Sequence, residues 1–352
     1  MVEGKHRDAA MGIPAWGSEE ALRKEDHVAR FLEREYRTAL ERDCSLDELG
    51  ISTTSGPVWE ETSELIETHY DERPEFFESF LDTRFRAYTM AYYGEDAAAV
   101  QAADRTLEEA QAAKYELICE RAGIRGDEKI LDIGCGFGAF ERYLLARYPD
   151  VEVIGITPSA VQHRHLQAAL AEPQISGLDP RRFRVLPLDF DRLTDAEIPP
   201  DSLDLVISIG VLEQVLNMTA LNRRIARFLR PGGRSFHHFI VSRMVIPQFL
   251  DASQTLIGDY FPGGRIWPFD EFSRHEADLT CIGRWFVNGM NYWRTLDEWH
   301  RRFSANLPRL AQHLDEKRLR YWNDYFILCK ACFRPAGGTL YGNGHYLFQK
   351  PS

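Results

Sequence analysis

Three glycines at alternate positions follow a short apolar run in the first half of the chain. The run covers residues 129–133, and the motif that closes it is Asp132-x-Gly134-x-Gly136-x-Gly138. Apolar residues at helical spacing over positions 139–146 then predict a helix that begins on the turn. Glycine is needed there because a Cβ would keep a ligand away from the backbone amides. The motif therefore predicts a loop whose amides, together with the helix N-terminus, cradle an adenosyl cofactor.

The spacing of the glycines separates this motif from a dinucleotide site, which reads G-x-G-x-x-G. An acid two residues before the first of three alternate glycines resembles motif I of the class I methyltransferases, which bind S-adenosyl-L-methionine. The resemblance implies that Asp132, Gly134 and Gly136 lie against that cofactor. A nicotinamide site and a glycine turn without any ligand are the two alternatives.

Strand-like and helix-like patterns alternate after the glycine motif. The sequence predicts strands at 151–156, 183–188, 202–208 and 235–241, and a glycine-rich turn at 230–234. This alternation predicts an α/β fold built on a doubly wound parallel sheet, the Rossmann-like sheet of the class I methyltransferases.

Four segments are predicted along the chain. Residues 1–17 form a flexible N-terminus, 18–122 a helical N-terminal cap, 123–241 the cofactor-binding core, and 242–352 the substrate-pocket helices with the final strands. In this superfamily, helical insertions such as the last segment roof the substrate pocket. The helices predicted outside the core cover 18–40, 59–69, 107–122, 249–261, 268–275, 296–306 and 319–333, and the further strands cover 279–287 and 345–349.

Composition narrows the class of protein. The 352 residues carry 54 acidic and 42 basic side chains, a net charge of −12, which disfavours binding to nucleic acid or to anionic membranes. Six cysteines in a chain of this length do not make a disulfide framework. The first residues lack the apolar core of a signal peptide, and no apolar run is long enough to span a bilayer. We therefore expect a cytoplasmic protein without stable membrane insertion.

The segment before the glycine motif resembles the cyclopropane-fatty-acid synthases. It carries His69-Tyr70-Asp71, then Phe76-Phe77, then Tyr88-Thr89-Met90-Ala91-Tyr92-Tyr93, where that family has Tyr-Ser-Cys-Ala-Tyr-Phe. After the second predicted strand, many adenosine sites carry an acid, whereas this chain has Thr157-Pro158 and then Gln162, as that family does. The resemblance implies that the cofactor contacts Tyr88, Thr89, Thr157, Pro158, Gln162, Asp189 and Phe190.

The C-terminal half resembles the plant coclaurine N-methyltransferases more closely. The resemblance rests on Phe236-His237-His238-Phe239 and on the segments 260–264, 285–295 and 321–326. It implies a pocket for a small-molecule acceptor, and aromatic rings there would suit a planar or cationic acceptor. The expected pocket residues are Met90, Gln214, His237, Trp285, Trp293, Tyr321 and Tyr325.

Glu213 follows the fourth predicted strand, where side chains project over the cofactor in this fold. Relatives read Glu-His at this point and this chain reads Glu213-Gln214, so the carboxylate is kept and the imidazole is lost. By resemblance, Glu213, His238 and Tyr292 are the catalytic side chains. In the cyclopropane synthases these positions help to hold a bicarbonate base, together with a cysteine that is Met90 here. The bicarbonate site is therefore incomplete, which argues against cyclopropanation.

These side chains also have structural interpretations. Glu213 can be a helix N-terminal carboxylate stabilised by the helix dipole, and Tyr292 a core aromatic. Gln214 can orient a substrate or cap a loop. His237 and His238 alternate on a strand, so one of them must face away from the site.

Three functions remain open on this evidence. The favoured hypothesis is methyl transfer from S-adenosyl-L-methionine to an amine nitrogen of a small molecule. The first alternative is carbon methylation or cyclopropanation of a lipid acyl chain, and the second is a non-catalytic cofactor-binding protein that lost activity with the change to Gln214. Neither His163-x-His165 on a helix nor Cys329-x-x-Cys332 without a second pair predicts a metal site. A homodimer is compatible with each hypothesis.

Overall fold

A mixed sheet forms the centre of the computed structural model, which describes residues 13–41, 45–46, 48–59, 74–244, 248–249, 260 and 264–352. The strands are β1 (Lys129–Ile133), β2 (Glu152–Ile156), β3 (Phe183–Leu186), β4 (Leu203–Ile209), β5 (Leu229–Ser242), β6 (Gln248–Phe249), β7 (Arg265–Pro268), β8 (Thr280–Asn288) and β9 (Tyr341–Gln349).

The strand order confirms the predicted doubly wound sheet. Strands β3, β2, β1, β4 and β5 lie side by side and run parallel. Strand β9 then pairs antiparallel with β5, and β8 pairs antiparallel with β9. The short β7 lies parallel to the end of β5, and β6 pairs antiparallel with β7. The carboxyl ends of the parallel strands therefore meet at one edge, which we call the carboxyl edge.

Helices cover both faces of this sheet and form a further layer beside it. They are α1 (Glu19–Leu40), α2 (Pro74–Phe77), α3 (Ala97–Ala102), α4 (Leu107–Ala122), α5 (Ala139–Arg147), α6 (Ala160–Ala171), α7 (Pro173–Ser176), α8 (Met218–Phe228), α9 (Met290–Leu310) and α10 (Glu316–Phe333). None of these helices combines the length and the apolar character needed to cross a lipid bilayer.

Alternation along the strands explains why both faces are covered. Ile130 of β1 packs in the cluster that contains Tyr115 of α4 and Phe140 of α5, whereas Leu131 packs in the cluster that contains Leu221 of α8. Successive side chains of a strand point to opposite faces, so a strand that is apolar throughout needs a partner on each side.

The predicted helix boundaries hold where capping residues are present. Helix α1 begins after Ser18, whose side chain accepts from the Ala21 amide at 3.2 Å. Helix α4 has the predicted bounds because Thr106 and Glu109 form a reciprocal capping box and Gly123 ends the helix in the left-handed region.

One helix prediction in the C-terminal third is wrong, and a second is tested only at its start. Positions 268–275 hold the end of β7 and a short 3₁₀ turn, Phe272–Arg274, instead of a helix. Ile266 and Trp267 favour a strand, and Trp267 pairs with Val241 of β5. Of the predicted helix 249–261, the described start lies in β6, and the rest lies outside the described residues apart from Tyr260. The predicted helix 59–69 and the His69-Tyr70-Asp71 motif also fall outside them, apart from Trp59.

The predicted turn at 230–234 is an interruption inside β5. The register between β4 and β5 shifts from the pair Leu203 and Leu229 to the pair Leu205 and Arg234. Gly232, within the interruption, has a φ of 74°. The strand therefore begins earlier than the sequence indicated, with an irregular loop near its start.

The N-terminal cap and the C-terminal helices share one apolar core. Tyr36 of α1 and Phe80 lie in the same buried cluster as Trp299 of α9 and Trp322 of α10. The described helices of the segments 18–122 and 242–352 therefore pack against one another in one apolar cluster.

A buried ion cluster ties α1 to this layer. The ammonium of Lys330 on α10 lies 2.8 Å from Glu25 of α1 and 3.0 Å from Asp297 of α9. Glu25 also accepts from Trp293 Nε1 at 2.8 Å. Lys330 and Glu25 are both buried, and the Arg334 guanidinium lies 3.7 Å from Glu25, so the buried charges are compensated within this cluster.

Lys330→Met is expected to destabilise the protein by about 3 kcal/mol, because it removes the ammonium closest to the buried Glu25 and leaves that carboxylate with only the more distant, partly exposed Arg334 at 3.7 Å. Urea denaturation followed by circular dichroism measures the free energy of unfolding. Arg320→Ala on the same helix is the control, since its ion pair with Glu316 is exposed and is worth about 0.5 kcal/mol or less. Equal losses in the two variants would contradict the role given to the buried cluster.

Candidate functional site

The glycine motif forms the predicted turn at the carboxyl edge. Gly134, Gly136 and Gly138 have φ values of 78°, 57° and 78°, which favour glycine at each position. A Cβ on Gly134 would lie 2.5 Å from Cγ2 of Val211, whereas a Cβ on Gly136 would meet nothing within 4 Å. Gly134 is therefore required by packing, and Gly136 is the glycine that faces open space.

The loop amides are used differently from the prediction. The amides of Gly134 and Cys135 donate to the Ile156 carbonyl at 3.0 and 3.1 Å, so these donors close the turn onto β2. A ligand at the loop must therefore use other groups than these two amides.

Asp132 forms a buried acidic pair with Glu141 of α5. Both carboxyls are almost fully buried, and burial raises the pKa of Glu141 to about 7. Burial and the neighbouring Glu141 raise the pKa of Asp132 well above its ordinary value. Oδ1 of Asp132 has no hydrogen-bond partner among the described residues. A buried acceptor without a partner beneath the glycine loop fits a site completed by a bound polar group.

The residues expected to bind the cofactor after β2 lie together. The Thr157 hydroxyl donates to Oε1 of Gln162 at 2.6 Å and accepts from the Ser159 amide at 3.2 Å. Pro158 between them is exposed. This group follows the end of β2, so it lies at the carboxyl edge next to the glycine loop.

Asp189 and Phe190 have separate surroundings. Asp189 caps the 3₁₀ turn Phe190–Arg192 by accepting from the Asp191 amide at 3.3 Å. The Phe190 ring is buried in the core on the α8 side, with the Arg224 guanidinium 5.3 Å from its centre. The Phe190 ring is thus packed in the core, whereas Asp189 is only half-buried.

The turn with Tyr88, Thr89 and Met90 is held by two polar residues that the sequence analysis did not identify. Lys114 Nζ donates to the Thr89 hydroxyl at 2.8 Å, and Gln111 Nε2 donates to the Thr89 carbonyl at 2.9 Å. Both side chains are fully buried, and burial lowers the pKa of Lys114 to about 7. The sequence signal that could have identified Gln111 and Lys114 is that both polar residues lie on the inward face of α4.

Glu213 lies in the 3₁₀ turn Leu212–Gln214, directly after β4. Its Oε1 accepts from the Ile240 amide of β5 at 2.9 Å, which fixes the carboxyl over the carboxyl edge. Burial raises the pKa of Glu213 to about 7. The carboxylate is therefore a stronger base than an exposed glutamate, and it titrates near neutral pH.

His237 and His238 face opposite sides of β5, as their alternation predicted. His237 Nδ1 lies 2.8 Å from the Ser208 hydroxyl, and its ring packs edge-on against Phe272 and Phe348. His238 lies 2.7 Å from His345 of β9. His237 therefore packs among core aromatics, in place of the pocket position expected for it.

The expected pocket aromatics separate into two groups. Tyr88 donates to the Tyr325 hydroxyl at 3.2 Å, and Tyr260 packs against both Tyr321 and Tyr325, with ring centres 4.6 and 5.5 Å apart. Met90, next to Tyr88, is buried. These four tyrosines, Tyr88, Tyr260, Tyr321 and Tyr325, are called the tyrosine cluster below.

Three other aromatics lie outside this cluster. Tyr292 stacks on Phe333 at 4.4 Å. Trp293 is bonded to Glu25 of α1, and the Arg121 guanidinium lies 5.0 Å from the Trp285 ring. Among the described residues, no group of three or more His, Cys, Asp or Glu side chains is placed to hold a metal ion.

The sheet order, the glycine turn after β1 and the polar group after β2 define the fold of the class I methyltransferases, a class that uses S-adenosyl-L-methionine. A family model described as mycolic acid cyclopropane synthetase matches residues 59–341, and the chain belongs to that family. The family and the fold confirm the predicted cofactor. The open side of Gly136 and the unpartnered Asp132 oxygen fit its presence at the loop.

Two curated relatives differ in their acceptors. The chain is 30% identical to a cyclopropane-fatty-acyl-phospholipid synthase of Escherichia coli K12. The match extends over 268 residues, which are 76% of this chain and 63% of that protein. It is 27% identical to an (S)-coclaurine N-methyltransferase of Thalictrum flavum. That match extends over 259 residues, which are 70% of this chain and 69% of that protein. The chain thus spans less than two thirds of the bacterial synthase.

Solved structures agree on the fold. A coclaurine N-methyltransferase, bound to N-methylheliamine and S-adenosylhomocysteine, superposes with a TM-score of 0.78 at 21% identity, over 93% of this chain and 95% of that one. The Mycobacterium tuberculosis cyclopropane synthase MmaA2 gives a TM-score of 0.68 at 27% identity, over 84% of this chain and 100% of that one.

Gly136→Ala is expected to lower the affinity for S-adenosylhomocysteine at least tenfold, because the new methyl group projects into the space that Gly136 leaves open. Isothermal titration calorimetry measures this affinity. Gly177→Ala is the matched control, since Gly177 also has a left-handed φ (73°) and no neighbour within 4 Å of its Cβ position, but lies after α7. Both variants lose about 1 kcal/mol of stability, so equal affinities would remove Gly136 from the cofactor site.

Proposed function

We propose that this protein transfers a methyl group from S-adenosyl-L-methionine to an amine nitrogen of a small molecule, with Glu213 as the proton acceptor. The observation that carries the proposal is the Glu213 carboxyl, fixed at the carboxyl edge by the Ile240 amide and basic near neutral pH. The other expected candidate base, His238, does not share this property, because burial lowers the pKa of His238 well below its ordinary value.

The chemistry explains why such a carboxyl is useful. When bound, the cofactor supplies a methyl group on a sulfonium, which a nucleophile can take by in-line displacement. An amine arrives protonated at neutral pH and becomes a nucleophile only after it loses a proton. Glu213 can take that proton when it is ionised, because its pKa of about 7 lies near the working pH. The chain must also align the nitrogen about 3 Å from the methyl carbon and exclude water.

The tyrosine cluster supports a cationic or planar acceptor. Tyrosine faces attract cations and stack on aromatic rings. Tyr88 belongs to the turn that Lys114 and Gln111 hold, so the cluster includes a residue next to the expected cofactor contact Thr89. We infer that the acceptor binds against this cluster.

Met90 and Gln214 count against the alternative of cyclopropanation. The expected bicarbonate site of the synthases uses a cysteine at the position of Met90, and a thioether cannot donate a hydrogen bond. Gln214 cannot titrate in place of the histidine that relatives carry. The bacterial synthase nevertheless matches over more of this chain than the plant enzyme does, so a lipid acyl chain remains the second candidate acceptor.

Glu213→Gln is expected to lower kcat/KM at least tenfold while the affinity for S-adenosylhomocysteine changes less than twofold. In the unchanged enzyme, kcat/KM should rise with pH through about 7, because Glu213 accepts a proton only in its ionised form. This rise should be absent in the variant. Initial rates between pH 5.5 and 8.5 measure both effects.

The control for that experiment is Glu172→Gln, which removes an exposed carboxylate and should leave the pH profile unchanged. The Glu213→Gln variant should fold normally. A carboxyl with a raised pKa in the folded state loses stabilising free energy as the pH rises through 7, so the melting temperature of this variant at pH 8 should not fall. An unchanged rate in Glu213→Gln would eliminate Glu213 as the base.

Labelled S-adenosyl-L-methionine distinguishes the acceptor classes. We expect methyl label to enter an amine-containing metabolite extract and not phospholipid liposomes, because the tyrosine cluster and Glu213 suit a protonated amine. Mass spectrometry of both pools measures the transfer. Label in the liposomes alone would support the lipid alternative, and tight cofactor binding without label in either pool would support a non-catalytic binding protein.

A further inference from the structure

Four polar side chains form a hydrogen-bonded chain behind the site. Arg121 Nη1 lies 2.8 Å from His345 Nδ1, and His345 Nε2 lies 2.7 Å from His238 Nδ1. The side-chain amide of Asn343 lies 3.1 Å from His238 Nε2. The two histidines and Asn343 are at most 2% exposed.

The chemistry of arginine fixes the direction of every hydrogen bond in this chain. A guanidinium can only donate, so His345 Nδ1 must accept and His345 Nε2 must carry the proton. That proton is donated to His238 Nδ1, which leaves the proton of His238 on Nε2. The Asn343 atom facing His238 must then be the amide oxygen, and the amide nitrogen takes the position that has no partner among the described residues.

Burial, with the nearby basic side chains Lys114 and Arg121, keeps both histidines neutral. Lys114 and Arg121 are seven residues apart on α4 and therefore lie on the same face of that helix. Burial lowers the pKa of His238 well below its ordinary value, and the charges of Lys114 and Arg121 lower it further. The pKa of His345 is lowered by burial, by His238 and by the same two cations.

The free end of the chain lies towards the carboxyl edge. His345 pairs with His238 across β5 and β9, and Asn343 pairs with Ile240 two residues further along β5. Ile240 is the residue whose amide holds Glu213. Asn343 therefore lies directly across the strand pair from Ile240, the residue whose backbone amide fixes Glu213.

We propose that Arg121 and His345 are positioning residues that lock His238 as a neutral Nε2–H donor to Asn343, so that Glu213 and not His238 accepts the proton. The role of Glu213 rests on the proposed function, whereas the locked tautomer does not. His238 then serves the site through Asn343 and does not itself take up a proton. This revises the catalytic role that the resemblance implied for His238.

The direct test is the tautomer of His238 in protein labelled with ¹⁵N-histidine. Heteronuclear NMR distinguishes a protonated from an unprotonated ring nitrogen, and the His238→Gln variant assigns the signals. We expect an Nε2–H tautomer that does not titrate between pH 5.5 and 8.5. An Nδ1–H tautomer, or a charged ring within that range, would overturn the proposal even if no variant of His345 folds.

Two variants of His345 test its role. His345→Gln keeps an acceptor for Arg121 and a donor for His238, so the Nε2–H signal of His238 should persist. His345→Leu removes both, so the signal should shift or split, and the rate of methyl transfer to the amine extract should fall at least tenfold at unchanged affinity for S-adenosylhomocysteine. His345→Gln should restore most of that rate. An unaltered His238 signal in His345→Leu would refute the positioning role.

Leu347→Ala is the control for a general packing defect. Leu347 lies two residues from His345 on the same face of β9 and is buried in the neighbouring apolar cluster. It should lower the melting temperature and leave the His238 signal in place, and a shifted signal here would assign the effect in His345→Leu to packing. If the NMR results hold and no protein transfers label to any amine, the proposed function fails while the locked tautomer stands.

Discussion

The burial of polar side chains on one face of α4 is the constraint on which the site depends. Gln111 and Lys114 point from this helix into the protein and are fully buried, where an unpaired polar group costs several kcal/mol, and Arg121 is half-buried. Thr89 accepts from Gln111 Nε2 and Lys114 Nζ, and His345 accepts from Arg121. A single helix therefore fixes both the turn beside the expected cofactor and the histidines behind the carboxyl edge.

The same constraint distributes the chemical roles. Burial, reinforced by basic side chains of α4, prevents His238 from taking up a proton, whereas Glu213 lies at the carboxyl edge and accepts from the Ile240 amide. A carboxyl buried with so little compensation becomes a base near neutral pH, and an imidazole buried beside cations becomes a fixed donor. Residues that look equivalent as candidate bases in a sequence thus separate by their surroundings.

The fold was largely predictable from the sequence, and the site was predictable in part. The glycine motif and the capped helix α4 are local patterns, so their positions followed directly from residue types. The strand at Arg265–Pro268 was not predicted, and its last residue was assigned to a helix, because its pairing with the end of β5 is a long-range contact that no local pattern reports. Glu213 could be found by its position after β4. Its partner Ile240, and the links from Lys114 to Thr89 and from Arg121 to His345, depend on which elements meet in space.

Resemblance also had a limit set by geometry. The resemblance placed both adjacent histidines at the site, although alternation on a strand puts them on opposite faces. Trp285 and Trp293 belong to a matching segment but contact Arg121 and Glu25. Tyr88, Tyr321 and Tyr325 come from distant parts of the chain and do come together. Pocket composition can be inferred from a family, but the contacts that form the pocket must be read from the fold.

The shared core of α1, α9 and α10 has a consequence for protein engineering. Residues 19–40 and 290–333 pack as one body around Tyr36, Trp299 and Trp322, with Lys330 and Glu25 neutralising each other at their boundary. A chimera that imports the acceptor-facing helices of a relative would have to import that relative's first helix as well. Recombination points for such hybrids therefore belong in the sheet-forming middle of the chain, and both ends should be exchanged together.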